Sequence, residues 1–131
     1  MAREKVGLGQ RGESLAAQAL QQGGFEIIAR NWRCPYGEVD IVASRGNDLY
    51  FVEVRTRRSA ALPTPEQTLT PRKHSHMDLV ARAYLGTHAS ERPLTWHLGF
   101  VAVAMDRAGR LRRITFYPDL NGDPEDLVWH D

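Results

Sequence analysis

The sequence predicts one α/β domain in which a central mixed β-sheet is flanked by helices. The first observation is size, because 131 residues with 42% hydrophobic content suffice for one core and not for two. The second is the order of local patterns: a helix, three strands, a second helix, and one or two further strands. We therefore expect a single domain over residues 1–131, with its core at about 8–116 and a C-terminal tail at 117–131.

The first half of the chain contains one helix followed by three strands. The helix is predicted at 10–22, and Gly23-Gly24 supplies its C-terminal stop. The strands are recognised by their Val, Ile, Phe and Tyr content between turn residues, and they are predicted at 25–32, 38–45 and 48–56.

The second half continues with a loop, a helix and two strands. A loop rich in Ala, Pro and Thr occupies 57–69, after which Thr70-Pro71 provides an N-cap and a first helical residue. That helix is predicted to end near residue 85. Nearly continuous apolar sequence at 96–105 predicts a strand buried on both faces, and a turn then leads into a strand at 111–116.

Charge, cysteine content and hydrophobicity limit the class of protein. The formal net charge is only +1, Cys34 is the single cysteine, and no apolar run is long enough to span a membrane. The opening residues Met-Ala-Arg-Glu-Lys are not followed by a secretory apolar segment. We expect a cytoplasmic protein without membrane association, in which Cys34 is a structural residue.

Positive charge is concentrated in two places, Arg55-Thr56-Arg57-Arg58 and Arg110-Leu111-Arg112-Arg113. Such clusters suit contacts with nucleic-acid phosphates, although exposed charge also serves simply to solvate a surface. On the first interpretation, Arg57, Arg58, Arg112 and Arg113 contact a nucleic-acid backbone.

A predicted hairpin brings two carboxylates together. Gly46-Asn47 is a favourable two-residue turn between the second and third strands. This turn places Asp40 directly opposite Glu53 and, two residues further out, Glu38 opposite Arg55. Because residues two apart on a strand share a face, all four side chains cluster at the open end of the hairpin.

Two like charges at this spacing destabilise a hairpin, especially beside a buried core, unless they share a cation. Hard cations such as Mg²⁺ take carboxylate oxygens as ligands, so Asp40 and Glu53 predict a metal site. The alternative is a cross-strand ladder of ion pairs. That alternative suits Glu38 with Arg55 equally well, but it suits Asp40 with Glu53 badly.

Two helical residues are aimed at the same region. Glu13 falls within the apolar arc of the first helix, where a site role and a simple complement to the helix N-terminus explain it equally well. Lys73 shares a face with Met77, Val80 and Tyr84. It either packs its stem there with the ammonium group extended outward or presents a positive charge to a phosphate.

Taken with their spacing, these motifs resemble the YraN family of uncharacterised bacterial proteins. The resemblance covers residues 8–84 and lies mainly in Gly37-Glu38-Val39-Asp40-Ile41-Val42 and Phe51-Val52-Glu53-Val54-Arg55-Thr56-Arg57. Gly12-Glu13, Asn31-Trp32 and Thr70-Pro71-Arg72-Lys73 match the same pattern. That family is similar to the PD-(D/E)xK nuclease superfamily, which includes restriction enzymes and Holliday-junction resolvases.

The resemblance implies an αβββαβ restriction-endonuclease-like core and Mg²⁺ or Mn²⁺ as cofactor. It implies Asp40 and Glu53 as catalytic metal ligands and Glu13 as an additional acidic group, and we add Glu38 to the acidic shell around the metal. Arg55 holds the position usually occupied by a catalytic lysine. A homodimer follows by analogy with the resolvases.

Two departures from the nuclease pattern are visible. Arg55 keeps the positive charge of the lysine but cannot readily exchange a proton. In addition, His97-Leu98-Gly99 stands where many members of the family carry Arg-Phe-Asp, so an acidic group is missing.

The leading functional hypothesis is a metal-dependent nuclease acting on DNA, including branched or damaged DNA, in which Arg55 and Lys73 stabilise charge at phosphorus. One alternative is a nucleic-acid-binding module that has kept the fold and lost turnover. Another is a protein-interaction subunit whose acidic cluster is structural.

Overall fold

The computed structural model describes residues 2–58, 63–88 and 95–127, with side chains from residue 7 onward. A six-stranded sheet in the order β1-β2-β3-β4-β5-β6 forms its centre. The strands are β1 (Glu26–Cys34), β2 (Gly37–Arg45), β3 (Asp48–Arg58), β4 (Thr95–Met105), β5 (Leu111–Tyr117) and β6 (Glu125–Asp126). The helices are α1 (Ala2–Gln22), α2 (Pro71–Thr87) and a 3₁₀ turn, η1 (Glu66–Thr68).

The sheet is mixed, because β3 and β4 run parallel while the other paired strands are antiparallel. Parallel neighbours require a crossover connection, and α2 supplies it. The elements follow one another as α1-β1-β2-β3-α2-β4, which is the αβββαβ order that the resemblance implies. The predicted α/β fold class with a central mixed sheet is confirmed.

One helix covers each face of the sheet. On the first face, Ala16, Ala19 and Leu20 of α1 are fully buried against strand residues such as Ile41 and Val52. On the second face, the buried residues contributed by α2 are Met77, Val80, Ala81 and Tyr84. The helical faces read from the sequence are therefore the ones that pack, and Lys73 lies on the buried side of α2 as its spacing indicates.

The start of α2 is fixed by its cap. The Thr70 hydroxyl accepts a hydrogen bond from the Lys73 backbone N–H at 3.1 Å, and Pro71 takes the first helical position. This cap satisfies one of the N–H groups that a helix leaves unpaired at its start, and it confirms the predicted boundary. It also fixes the backbone from which the Lys73 side chain extends.

The predicted hairpin register is also confirmed over its closed end. Pairing runs from Arg45 with Asp48, next to the turn, to Ile41 with Val52. Gly46 in the turn has a φ of +62°, which a primed turn requires and glycine adopts without steric cost.

Several boundaries differ from the predictions. The first helix begins at Ala2 instead of residue 10, and β3 extends to Arg58, into the segment predicted as a loop, of which 59–62 lie outside the described residues. The segment predicted as a tail contributes to the sheet, since β6 pairs with β5 and Leu127 is buried in the core beneath α1.

Across the described ranges, no helix combines the length and apolar content needed to cross a membrane.

Candidate metal centre

Asp40 lies where β2 and β3 separate. Backbone pairing ends at Ile41 and Val52, and beyond that point the Val54 backbone N–H donates to Asp40 Oδ2 at 2.8 Å. A side-chain oxygen thus replaces a backbone carbonyl as the acceptor. The direct pairing predicted for Asp40 and Glu53 does not continue the described ladder, yet the charge of Glu53 still acts on the Asp40 carboxyl group and raises its pKa.

The surroundings of Asp40 disfavour its charged form. Burial is the largest cause and the negative charge of Glu53 the next, and with Glu13 they raise the pKa of Asp40 to about 7 although the Val54 N–H opposes the shift. Asp40 therefore titrates near neutrality and is protonated below that pH.

Glu53 is the second carboxyl group of the pair. It is one of the few buried polar residues in the described chain, and its side chain is only 9% exposed. Arg55 Nε donates to Glu53 Oε2 at 2.9 Å, and Lys73 Nζ lies 3.4 Å from the same oxygen. Two cations, one from β3 and one from the first turn of α2, thus compensate a buried carboxylate.

Glu13 reaches this region from α1. Its Oε1 accepts hydrogen bonds from Asn31 Nδ2 at 2.8 Å and from Arg30 Nη2 at 3.3 Å. Asn31 has a φ of +53°, a left-handed conformation in which Asn is several-fold enriched. The approach of α1 depends on Gly12, because a Cβ there would lie 1.8 Å from Thr56 Oγ1 on β3.

The structure thus brings together five of the predicted site residues: Glu13, Asp40, Glu53, Arg55 and Lys73. Within the described ranges, no group of three or more His, Cys, Asp or Glu side chains is placed to hold a metal ion. A cation here would rely on Asp40 and Glu53, with water completing its shell. Mg²⁺ is commonly held in this way, through one or two carboxylates and several retained waters.

Glu38 is not brought into this group. Its Oε2 accepts a hydrogen bond from Arg33 Nε at 3.1 Å on the neighbouring strand β1, and both side chains are largely exposed. The carboxylates whose charge acts on Asp40 are Glu53 and Glu13. The predicted pairing of Glu38 with Arg55 is therefore wrong, because β2 diverges from β3 before reaching Glu38 and Arg55 binds Glu53 instead.

The predicted nucleic-acid contacts fall into two groups. Arg57 and Arg58 are exposed at the end of β3, and Arg112 is exposed on β5. Arg113 is already bound within the protein, since its two terminal nitrogens donate to the two carboxylate oxygens of Glu66 at 2.8 and 3.3 Å.

Sequence reasoning missed Arg11. A Cβ on Gly109 would lie 3.2 Å from Arg11 Nη1 and 3.5 Å from Arg58 Nη2, so two guanidinium groups converge on one point beside the β4–β5 turn. Neither forms an ion pair with another residue that the structure describes. The available signal was the position of Arg11 directly before Gly12 and Glu13, in the turn of α1 that packs against β3.

Gly99 of β4, which stands where the resembled family often carries Asp, lies close to the end of β5. A Cβ on Gly99 would lie 3.1 Å from the Tyr117 carbonyl oxygen, so a side chain there would crowd the end of β5. His97, in the same strand, stacks on Tyr50 and lies 3.3 Å from Asp48 Oδ1. This part of β4 is therefore used for packing.

Comparison with known proteins gives one consistent result. The model of the uncharacterised protein family UPF0102 matches residues 12–113, a range that contains Glu13, Asp40, Glu53, Arg55 and Lys73. A UPF0102 protein of Acidothermus cellulolyticus is 45% identical over 108 residues, which are 81% of this chain and 82% of the relative. A UPF0102 protein of Moorella thermoacetica is 41% identical over 103 residues, or 79% and 85%.

Proposed function

We propose that this chain, which belongs to the uncharacterised protein family UPF0102, is a divalent-metal-dependent nuclease that hydrolyses phosphodiester bonds in DNA. The observation that carries the proposal is the Asp40–Glu53 pair. The pair lies where β2 and β3 separate beyond Ile41 and Val52, a place that we call the fork. Two adjacent carboxyl groups in a buried position destabilise a fold unless positive charge relieves them. Arg55 and Lys73 pair with Glu53, whereas burial and the charge of Glu53 raise the pKa of Asp40 to about 7.

The donors at the fork fit Mg²⁺ or Mn²⁺. Both ions take carboxylate oxygens, and Asp40 is already oriented by the Val54 N–H through one of its oxygens. Asp40 and Glu53 would hold the ion. When bound, the ion supplies polarisation of the phosphate and activation of water.

The cations around Glu53 would act on the phosphate. Arg55 and Lys73 lie at the same carboxylate oxygen, so both are positioned within a few ångströms of the candidate metal ligands. Pre-positioned cations stabilise the negative charge that develops on phosphoryl oxygens during displacement. Lys73 can also exchange a proton, which Arg55 cannot readily do.

The exposed arginines at the end of β3 suit contacts with flanking phosphates. Arg57, Arg58 and the converging Arg11 lie on the chain segments that continue from the site residues Arg55 and Glu13. Contacts of this kind position a nucleic-acid backbone without reading its sequence.

Two measurements test the proposal. Calorimetric titration with Mn²⁺ should show one site that Asp40→Asn removes, and linear, flapped and four-way DNA should be cut by the parent and not by Asp40→Asn. Asp78→Asn, in an exposed ion pair on α2, is the matched control and should behave as the parent. DNA binding without cleavage, with Asp40→Asn indistinguishable from the parent, would instead identify a non-catalytic binding module.

A further inference from the structure

A cavity of about 400 Å³ lies beside Glu53, between β3 and the start of α2. We call it the α2 cavity, and its lining residues are Arg55, Thr68, Thr70, Arg72, Lys73 and His76. Three of them, Arg55, Arg72 and Lys73, are basic residues. In the described chain, the carboxylate that pairs with this set is Glu53. The α2 cavity therefore carries excess positive charge, which suits a polyanionic ligand.

An exposed tyrosine lies on a turn that is hydrogen-bonded to a lining residue of the α2 cavity. Tyr36, in the β1–β2 turn, is 57% exposed. His76 Nε2 donates a hydrogen bond to the Tyr36 carbonyl oxygen. The His76 ring also lies against Gly37, where a Cβ would be 2.5 Å from His76 Cε1. One residue of α2 thus both lines the cavity and fixes the turn that carries Tyr36.

We infer that Tyr36 is a stacking platform for an unpaired base and that the α2 cavity binds phosphates of the same strand next to the candidate metal centre. The inference deepens the proposed nuclease function and rests on it, since it names the structure of the DNA that the site takes. A charged cavity alone would bind any nucleic acid. An exposed aromatic side chain, on a turn that a lining residue binds, adds a contact that only a base with a free face can make.

The α2 cavity and Tyr36 together should discriminate between forms of DNA. Bases within a continuous duplex already stack on their neighbours, so Tyr36 gains nothing from them. Unpaired nucleotides in a single strand, a flap or a branch expose a face to the ring, and stacking of this kind does not depend on sequence. The site is therefore suited to DNA with unpaired nucleotides beside the bond that is cleaved.

Fluorescence anisotropy in EDTA tests this without cleavage, using a labelled 16-nucleotide DNA single strand and a duplex of the same sequence. Loss of one base–aromatic stack should weaken single-strand binding by Tyr36→Ala at least about fivefold, with duplex affinity within about twofold of the parent. Tyr36→Trp should retain single-strand affinity. Ile28→Ala, another exposed hydrophobic residue near the far end of β1, is the control and should leave both affinities unchanged.

Equal effects of Tyr36→Ala on the two DNA forms, or no effect on either, would overturn the inference, as would a Tyr36→Trp variant as weak as Tyr36→Ala. A parent that cuts DNA in a metal-dependent manner but shows no Tyr36-dependent preference would overturn the inference and leave the nuclease function standing. A Tyr36-dependent preference in a protein that neither binds Mn²⁺ nor cuts DNA would support the inference and remove the nuclease function.

Discussion

The Val54 backbone N–H donates to Asp40 Oδ2 at 2.8 Å, at the point where β2 leaves β3. This bond joins the two strands after their backbone pairing has ended at Ile41 and Val52. It also orients a carboxyl group whose pKa burial and Glu53 raise to about 7. Asp40 therefore both connects β2 to β3 and supplies the carboxyl group that titrates where the strands separate.

Stability without metal should depend on pH through Asp40. Its pKa is about 7 in the folded chain against an ordinary value of 3.8. The folded chain keeps a proton that the unfolded chain loses, so the stability that the proton contributes is complete below 3.8 and is lost as pH rises through about 7. Asp40→Asn removes this dependence. We expect that variant to be more stable than the parent at pH 8, by up to about 4 kcal/mol, with a much smaller difference at pH 5.

Urea denaturation in EDTA at the two pH values measures the difference in free energy of unfolding. Asp78→Asn serves as the control, because its exposed pairing with Arg82 predicts a small effect at both values. If Asp40→Asn differs from the parent by the same amount at pH 5 and pH 8, Asp40 does not titrate near neutrality.

Metal affinity should show the opposite dependence on pH. A cation bound by Asp40 and Glu53 competes with the proton on Asp40, so apparent Mn²⁺ affinity should rise about tenfold per pH unit below about 7 and level off above it. Calorimetry in two buffers of different ionisation enthalpy should detect release of about one proton at pH 6 and little at pH 8. A flat affinity between pH 5.5 and 7 would exclude Asp40 as the competing group.

The cleavage rate should depend on a positive charge at residue 55 more than on whether that residue is arginine or lysine. Arg55→Gln leaves Glu53 with Lys73 alone and removes one cation from the reacting phosphate, so we expect single-turnover cleavage to fall by about 10²-fold. Arg55→Lys keeps the positive charge and should lose much less. Measuring Mn²⁺ binding of both variants separates an effect on catalysis from an effect on the metal. Equal losses in the two variants would show that the guanidinium geometry is required.

Local patterns predicted the fold because they depend on short-range rules. The Gly46-Asn47 turn fixed the register up to Ile41, and the Thr70 cap fixed the start of α2. The site was predicted less completely, because the fork is set by long-range packing. Extrapolating the register past Ile41 misplaced Glu38, and pairing of Arg113 with Glu66 depends on η1 meeting β5.

Gly12 should be essential for placing Glu13. A Cβ at residue 12 would lie 1.8 Å from Thr56 Oγ1, so Gly12→Ala must displace α1 or β3 and should cost about 1–3 kcal/mol of stability. Thr56→Ala, which removes that oxygen, should restore part of the loss in the double variant. Denaturation of the two single variants and the double variant measures the coupling. Gly9→Ala, in the same helix with open space around it, is the control. Strict additivity of Gly12→Ala and Thr56→Ala would contradict the close approach.

Arg11 and Arg58 should contact DNA phosphates as a pair, whereas Arg113 should not. The guanidinium groups of Arg11 and Arg58 converge on one point beside Gly109, and neither pairs with a carboxylate among the described residues. Arg113, in contrast, is bound to Glu66. Each lost phosphate contact lowers the slope of log affinity against log salt by about 0.9 for duplex DNA. We therefore expect a reduced slope for Arg11→Gln and for Arg58→Gln, and an unchanged slope for Arg113→Gln despite its lower stability. Anisotropy titrations from 50 to 200 mM salt measure it. A reduced slope for Arg113→Gln alone would indicate that DNA binds along β5 instead. Unchanged slopes for Arg11→Gln and Arg58→Gln would show that these two guanidinium groups do not bind a phosphate.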